Sequence, residues 1–467
     1  MINKINFVYE YETPDGFILP SISKKELPFL FLKILEGDVE DLTRNIIRVN
    51  PHNYNGIEFI YSKILDKVNQ YCKKYKHNKN EVIIDFIHID DIKDREDEVN
   101  IILIESSMFR TLPSDVVDLL FHENILSRKL IRNLRESETL YLWLIDDKEG
   151  SYDISFEFKD GIKKFIKTNQ ISNNKILFSN CNNFLEKYNK GINYFPINPY
   201  IFEGSQEIQH DCFGNKRESV KKEDIDSEIR DKIFLNYNRN TSRLHRLLLV
   251  SRLKKDNVLD NCIYSFYENE YFDNPEYPTY MSEYEGINFT NEERELMENF
   301  IKTNYPIHLD FDNQQSAAQS NNYLSDKDHY LNSYFSIVTE TSVSSTYCFV
   351  TEKCIRPMLG MHPFIVFGNP YVLKTLKEFG FKTFDKWIDE SYDLEFNTRK
   401  RFEMAYKEVL KINNMSKDKI HEIYKEIIPI LEHNKKIVLD SAKNDGYVRN
   451  IIESLQKNIN KNTLELL

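Results

Sequence analysis

At 467 residues the chain exceeds what one hydrophobic core usually supports, so two domains are expected. Its 41% apolar content suffices for two cores and excludes a disordered chain. A formal charge of −12 excludes a broad electrostatic grip on nucleic acid and leaves room only for a local basic pocket.

The amino terminus, MINKINFVYEYETPDG, has no apolar core of a signal peptide, and no apolar run reaches the roughly 18 residues of a membrane helix. Six cysteines, at 72, 181, 212, 262, 348 and 354, form no CxxC pair and no ligand spacing, so they read as reduced thiols. These features lead us to expect a soluble, cytoplasmic chain without a membrane span.

In chain order, short apolar runs flanked by charge predict strands at KINFVYEY, at 81–90, 100–106 and 139–147, and at KILFSN, 175–180. Helical spacing of Ile57, Ile60, Tyr61, Ile64, Leu65 and Val68 predicts a helix over Ile57–Lys73. Strands apolar on both faces that alternate with helices indicate a mostly parallel sheet. The charged stretch Gly204–Ser227 reads as a linker, dividing an acceptor-side α/β domain, 1–215, from a second α/β domain, 216–467.

The second domain starts with the strand KIFLNYNRN, 232–240, and the helix SRLHRLLLVSRLKKDN. Strands at 262–268, 334–340 and 362–368 follow, with a helix opening at Thr351, which suggests a second Rossmann-like sheet. The span 268–328 is too long for an ordinary connection and reads as an insertion or flap. From Arg399 onward the pattern is helical; these terminal helices are assigned to the second domain, either packing back over its sheet or crossing to the first domain.

The segment FSIVTETSVSSTYCFVTEKCIRP, 335–357, concentrates the functional signals. A strand ends at Glu340, and a helix opens with Thr351 as N-cap, Glu352 and Lys353, with Arg356 close by. Unpaired N–H groups and the dipole at such a helix start favour an anion. Glu340 at a strand end is placed to accept from sugar or ribose hydroxyls, and Glu352 by the same argument, although its pairing with Lys353 or Arg356 would explain the composition equally. Arg239, Arg243 and Arg246 are spaced by four and three, and Arg239 and Arg243 are candidates to grip a diphosphate. Arg246 reads instead as a solvated basic residue. Asn369 and Tyr371 follow a strand end and are placed to touch a ligand, whereas Phe381, Phe384 and Trp387 read as packing residues.

Glycosyl transfer needs positive charge on the departing diphosphate, which Lys353 and Arg239 would supply without a metal, and a base for the acceptor hydroxyl from the first domain. Glu105 leads the strand-end carboxylates Asp90, Glu105 and Asp146 for that role. Asp310 and Asp312 give only a DFD, while Asp385, Asp389 and Asp393 read as lining a helix face or capping turns, so no metal site is assigned. HExxH, GxxxxGK[ST], GxSxG and GxGxxG are all absent.

Glu340 through FVTEKCIRPMLGMHPFIVFG resembles the donor-binding region of the alpha-1,3/1,4-fucosyltransferase family, over roughly residues 330–370 and more loosely 230–250. IVTETS stands where that family has its FENS-like wording. The resemblance implies two facing Rossmann-like domains of the GT-B type, inversion without an obligatory metal, and GDP-fucose as one candidate among nucleotide-diphosphate sugars. It implies donor-phosphate contacts from Lys353 and Arg239, and a donor contact from Glu352. The competing readings are a nucleotide-sugar hydrolase or epimerase, and a non-catalytic glycan-binding protein.

Overall fold

A computed structural model of the chain describes residues 4–9, 11–12, 18–19, 83–105, 126–146, 156–182, 193–197, 220–225, 228–238, 243–266, 283–284, 286–304, 327–443 and 446–464. The chain divides into two compact units, 1–197 with 448–467, and 198–447. The expected boundary at 215 lies outside the described residues, as does the expected helix Ile57–Lys73. The last helix, Gly446–Leu464, is grouped from Val448 with the first unit, the crossing that the sequence reading left open.

The first unit contains β1 (Lys4–Tyr9), the short pair β2 (Tyr11–Glu12) and β3 (Ile18–Leu19), then β4 (Ile83–His88), β5 (Glu98–Glu105), β6 (Leu140–Asp146), β7 (Ile176–Asn180) and β8 (Asn193–Pro196). Six of these form one sheet in the order β4-β1-β5-β6-β7-β8, with every pairing parallel. Burial on both faces explains the unbroken run Ile101–Ile104, where no residue is more than 2% exposed. Helix Arg128–Glu136, capped by Ser127, buries Leu130, Ile131 and Leu134, and helix Phe156–Thr168 buries Ile162, Phe165 and Ile166 in the same core. Strand β8 was not anticipated. Its Pro196 is tolerated because an edge strand leaves one row of backbone groups unpaired.

The second unit repeats this logic with β9 (Phe234–Asn238), β10 (Cys262–Phe266), the short hairpin β11 (Glu283–Tyr284) and β12 (Ile287–Asn288), β13 (Phe335–Thr339) and β14 (Phe364–Phe367). Its parallel sheet runs β10-β9-β13-β14. Helix Leu244–Lys255 is buried almost all round, since the partner helix Asn291–Asn304 covers it with Met297 and Phe300 in the core. Within the expected insertion the described residues include this packed helix and the hairpin β11/β12.

In both sheets the second strand of the chain lies outside the first and the third lies inside it, so the strand order reverses between β1 and β5 and again between β9 and β13. Helices on either side of such a reversal depart to opposite faces, which opens a crevice at the carboxyl ends of the strands. Glu105 ends β5 beside the first reversal, and Thr339–Lys353 follows β13 beside the second. Among the described residues no helix is long and apolar enough to cross a membrane.

Candidate functional site

The expected anion site at the start of the Thr351 segment already holds an anion, the chain's own Glu340. Thr351 donates from its backbone N–H to Glu340 Oε1 at 3.2 Å and from Oγ1 to Oε2 at 2.5 Å. Cys354 Sγ donates to Oε1 at 3.2 Å, and the Thr341 N–H to Oε2 at 3.3 Å. Glu340 is wholly buried, so these donors offset its desolvation. Thr351 also caps the 3-10 turn Glu352–Cys354 by accepting from the Lys353 N–H, and the short helix Ile355–Leu359 follows. Gly368 lets the two segments pack closely here, because a Cβ at that position would lie 3.0 Å from Glu340 Cγ and the buried side chain would have to shift.

The Glu340 carbonyl is held from the helix Leu244–Lys255. His245 Nε2 donates to it at 3.0 Å, and Arg246 Nη2 donates to it at 3.1 Å and to Thr339 O at 3.3 Å. Burial, then the charge of Arg246, pushes His245 well below the ordinary imidazole range, which keeps it neutral. Arg246 corrects the sequence reading, being 4% exposed and bonded to backbone rather than solvated. The reason is positional: the first turn of this helix packs against the carboxyl end of β13, where strand carbonyls lack ladder partners.

A pocket opens at the β9/β13 reversal. Leu235 and Tyr237 line it from β9, residues 336–339 from β13, and Tyr330, Lys353, Arg356 and Pro357 complete it. Lys353 Nζ donates to Thr341 Oγ1 and Thr351 Oγ1 at 3.2 Å and to Glu352 Oε1 at 3.1 Å. Arg356 Nη2 lies 3.7 Å from the same carboxylate oxygen. Burial opposes ionisation of Glu352, but Lys353 and Arg356 prevail and hold its carboxyl down to about 2. Two cations thus share one carboxylate at the pocket wall, and their N–H groups are of the kind suited to phosphate oxygens. The Tyr237 hydroxyl pairs with His329 Nδ1 at 2.7 Å, fixing the opposite wall.

Of the other expected site residues, Arg239 lies outside the described residues. Arg243 is the half-buried residue that precedes helix Leu244–Lys255, and its side chain does not cap that helix. Asn369 is buried, and its Nδ2 donates to Ser344 O at 2.7 Å, joining the loops that leave β13 and β14. Glu105 and Asp146 end their strands, and their side chains lie outside the described residues. Asp90 sits exposed in the 3-10 turn Ile89–Asp91, paired with Lys129. Asp389 accepts from Ser391 N, and Asp393 from Leu373 N and Lys374 N, as turn and helix caps. Phe381 and Phe384 pack in the core. Asp310 and Asp312 lie outside the described residues, and among the described residues no group of three or more His, Cys, Asp or Glu is placed to hold a metal.

Sequence reasoning missed Arg401. Its guanidinium donates to the carbonyls of Gly368 at 2.9 Å and Glu395 at 2.6 Å and also to that of Val343, tying three loops at the carboxyl end of this sheet. Within the run RKRF nothing distinguishes it from its neighbours. Tyr237 was legible in principle, since alternation along KIFLNYN sets it on the same face as Leu235.

No protein-family model matches the sequence, and no curated protein matches it at a significant level.

Proposed function

We propose that this protein is a glycosyltransferase that moves a sugar from a nucleotide-diphosphate donor to a hydroxyl acceptor with inversion, GDP-fucose being one candidate donor. The observation that carries this reading is the placement of Lys353 and Arg356 in a pocket at the β9/β13 reversal of a parallel sheet. In such folds the reversal is where nucleotides bind. Lys353 and Arg356 would neutralise the diphosphate as the bond to the anomeric carbon breaks, a stabilisation greater in the transition state than in the ground state. The resemblance of residues 330–370 to the fucosyltransferase donor region supports the same assignment. Arg239 keeps its proposed role as a second phosphate ligand, and Glu105, at the end of β5, is the proposed base for the acceptor hydroxyl.

The internal use of Glu340 refines the proposed roles. With its oxygens committed to Thr351, Cys354 and Thr341, its part is to shape the turn that presents Lys353. The test is a thermal-shift screen against GDP-, UDP-, CMP- and dTDP-sugars, since a ligand that binds only the native state raises its apparent stability. A stabilising donor should then release its nucleotide diphosphate in an acceptor-dependent manner. Release at the same rate without acceptor would mark a hydrolase, and failure of every nucleotide sugar to bind would overturn the reading.

A further inference from the structure

We infer that Ser336 Oγ stands in the Lys353–Arg356 pocket as a fixed hydrogen-bond acceptor and selects a ligand that carries a sugar hydroxyl beside its phosphates. The inference rests on the nucleotide-sugar reading of that pocket and adds to it the group that reads the sugar.

Ser336 on β13 is in register with Leu235 on β9, so the two side chains stand on one face of the sheet, and both residues line the pocket. Against Ser336 lies His362, wholly buried, with its ring edge-on to that of Tyr330 at 4.9 Å and 77°. His362 Nε2 is 2.6 Å from the carbonyl oxygen of Tyr330. A carbonyl oxygen only accepts, so Nε2 carries a proton. Burial first, then the charge of Arg230, lowers this imidazole to about 3 and keeps it neutral. A neutral ring protonated at Nε2 has an unprotonated Nδ1. Ser336 Oγ lies 3.1 Å from that Nδ1, so the serine is the donor and its single proton is committed to His362. Arg230 Nη1 holds the carbonyl that fixes the tautomer, donating to Tyr330 O at 3.1 Å and also to Ser333 O.

With its proton spent, Ser336 Oγ offers a ligand lone pairs alone. Ionised phosphate oxygens find no donor in it, whereas Lys353 and Arg356, in the same pocket, offer only donors. The two kinds of group therefore divide a ligand between them, phosphates to the cations and an O–H to the serine. A nucleotide-diphosphate sugar fits that division, because hydroxyl-bearing rings, the ribose and the transferred sugar, flank its diphosphate on both sides. An analogue that lacks the hydroxyl leaves a buried acceptor unpaired, and the penalty for this is what makes the group selective.

The experiment is calorimetric binding of the full chain to inorganic pyrophosphate, GDP, UDP, their 2′,3′-dideoxy forms, GDP-fucose and UDP-glucose, repeated on Ser336→Ala and on Ser336→Cys, which keeps the shape with a weaker acceptor. Both variants should bind at least one hydroxyl-bearing probe roughly three- to tenfold more weakly than the parent chain, the scale of one lost hydrogen bond. Pyrophosphate, which carries no sugar, should bind all three proteins alike, because the cations are untouched. A loss present with GDP or UDP and absent with the dideoxy form assigns the hydroxyl to the ribose. A loss confined to GDP-fucose or UDP-glucose assigns it to the transferred sugar. Variants that match the parent chain on every nucleotide and nucleotide sugar overturn the inference and leave the nucleotide-sugar reading standing. Weakening that extends to pyrophosphate or to the dideoxy forms also overturns it, since a general disturbance of the pocket would produce that result. A parent chain that binds none of the nucleotides or nucleotide sugars sinks both readings.

Discussion

The Glu340 carboxylate accepts both the backbone N–H and the hydroxyl of Thr351, at 3.2 and 2.5 Å, and so occupies from within the position that an incoming anion would otherwise take. The strand end and the helix start are one hydrogen-bonded unit, and Lys353 is delivered to the pocket by that unit.

Glu340→Gln keeps the shape but removes the charge and sets an amide donor against a set of donors. We expect a stability loss of about 2–3 kcal/mol, read as a lowered denaturant midpoint with an unchanged slope. Thr351→Val should lose a smaller amount, because only one of those donors disappears. Equal stability of Glu340→Gln and the parent chain would show that the buried carboxylate is not bonded as described.

Lys353 and Arg356 share Glu352, so their removal should be strongly non-additive. Lys353→Ala alone should weaken nucleotide-diphosphate binding by about 10- to 100-fold, the scale of one lost charge-assisted contact, with a small change in unfolding temperature. The double variant Lys353→Ala, Arg356→Ala leaves Glu352 without a cation in a half-buried site and should unfold much more readily. Adding Glu352→Gln to that pair should restore stability but not binding. Calorimetric binding and thermal unfolding of the four proteins decide this, and intact nucleotide binding in Lys353→Ala would remove that residue from the site.

Acid should destabilise the second unit through His362. Burial first, then the charge of Arg230, lowers its imidazole to about 3, against an ordinary value of 6.5. Between those values the unfolded chain binds a proton that the folded chain refuses, so stability is complete above pH 6.5 and falls as pH drops toward 3. Glu352, held to about 2 from an ordinary 4.5, adds a loss in the same direction below pH 4.5. His362→Gln should flatten the upper part of this slope, measured as unfolding free energy against pH. An unaltered slope would show that His362 titrates normally.

Gly360 is fixed by packing rather than by a positive φ. A Cβ there would lie 2.3 Å from the Tyr330 ring, and Tyr330 lines the pocket. Gly360→Ala should therefore cost roughly 1–3 kcal/mol and displace the ring. Pairing it with Tyr330→Ala, which removes the side chain from Cγ outward, should lose less than the sum of the two single losses, since the clashing atoms are gone. Losses that simply add would place the strain elsewhere.

The nine strands read from charge-flanked apolar runs were legible because a strand buried on both faces must be apolar throughout, and few other structures demand that. Strand β8 was not, since Asn193–Pro196 is short, polar at one end and supported from one side only. The clustering of charged and hydroxyl groups in 335–357 was equally visible, because an acidic strand end, a hydroxyl cap and paired cations are local features. Which of those groups line the pocket was not. Glu340 points into Thr351 and Cys354, Arg246 into the carbonyls of Thr339 and Glu340, and Arg401 into three separate loops.

Sequence alone therefore determined the class of structure, two parallel α/β layers, and the segment where charge gathers, because periodicity and short-range composition are written residue by residue. Only the tertiary structure decided that Lys353 and Arg356 line the pocket while Glu340 supports it from behind. The physical reason is that a buried charge takes whichever donors the fold brings within about 3 Å, and those donors come from residues distant in sequence.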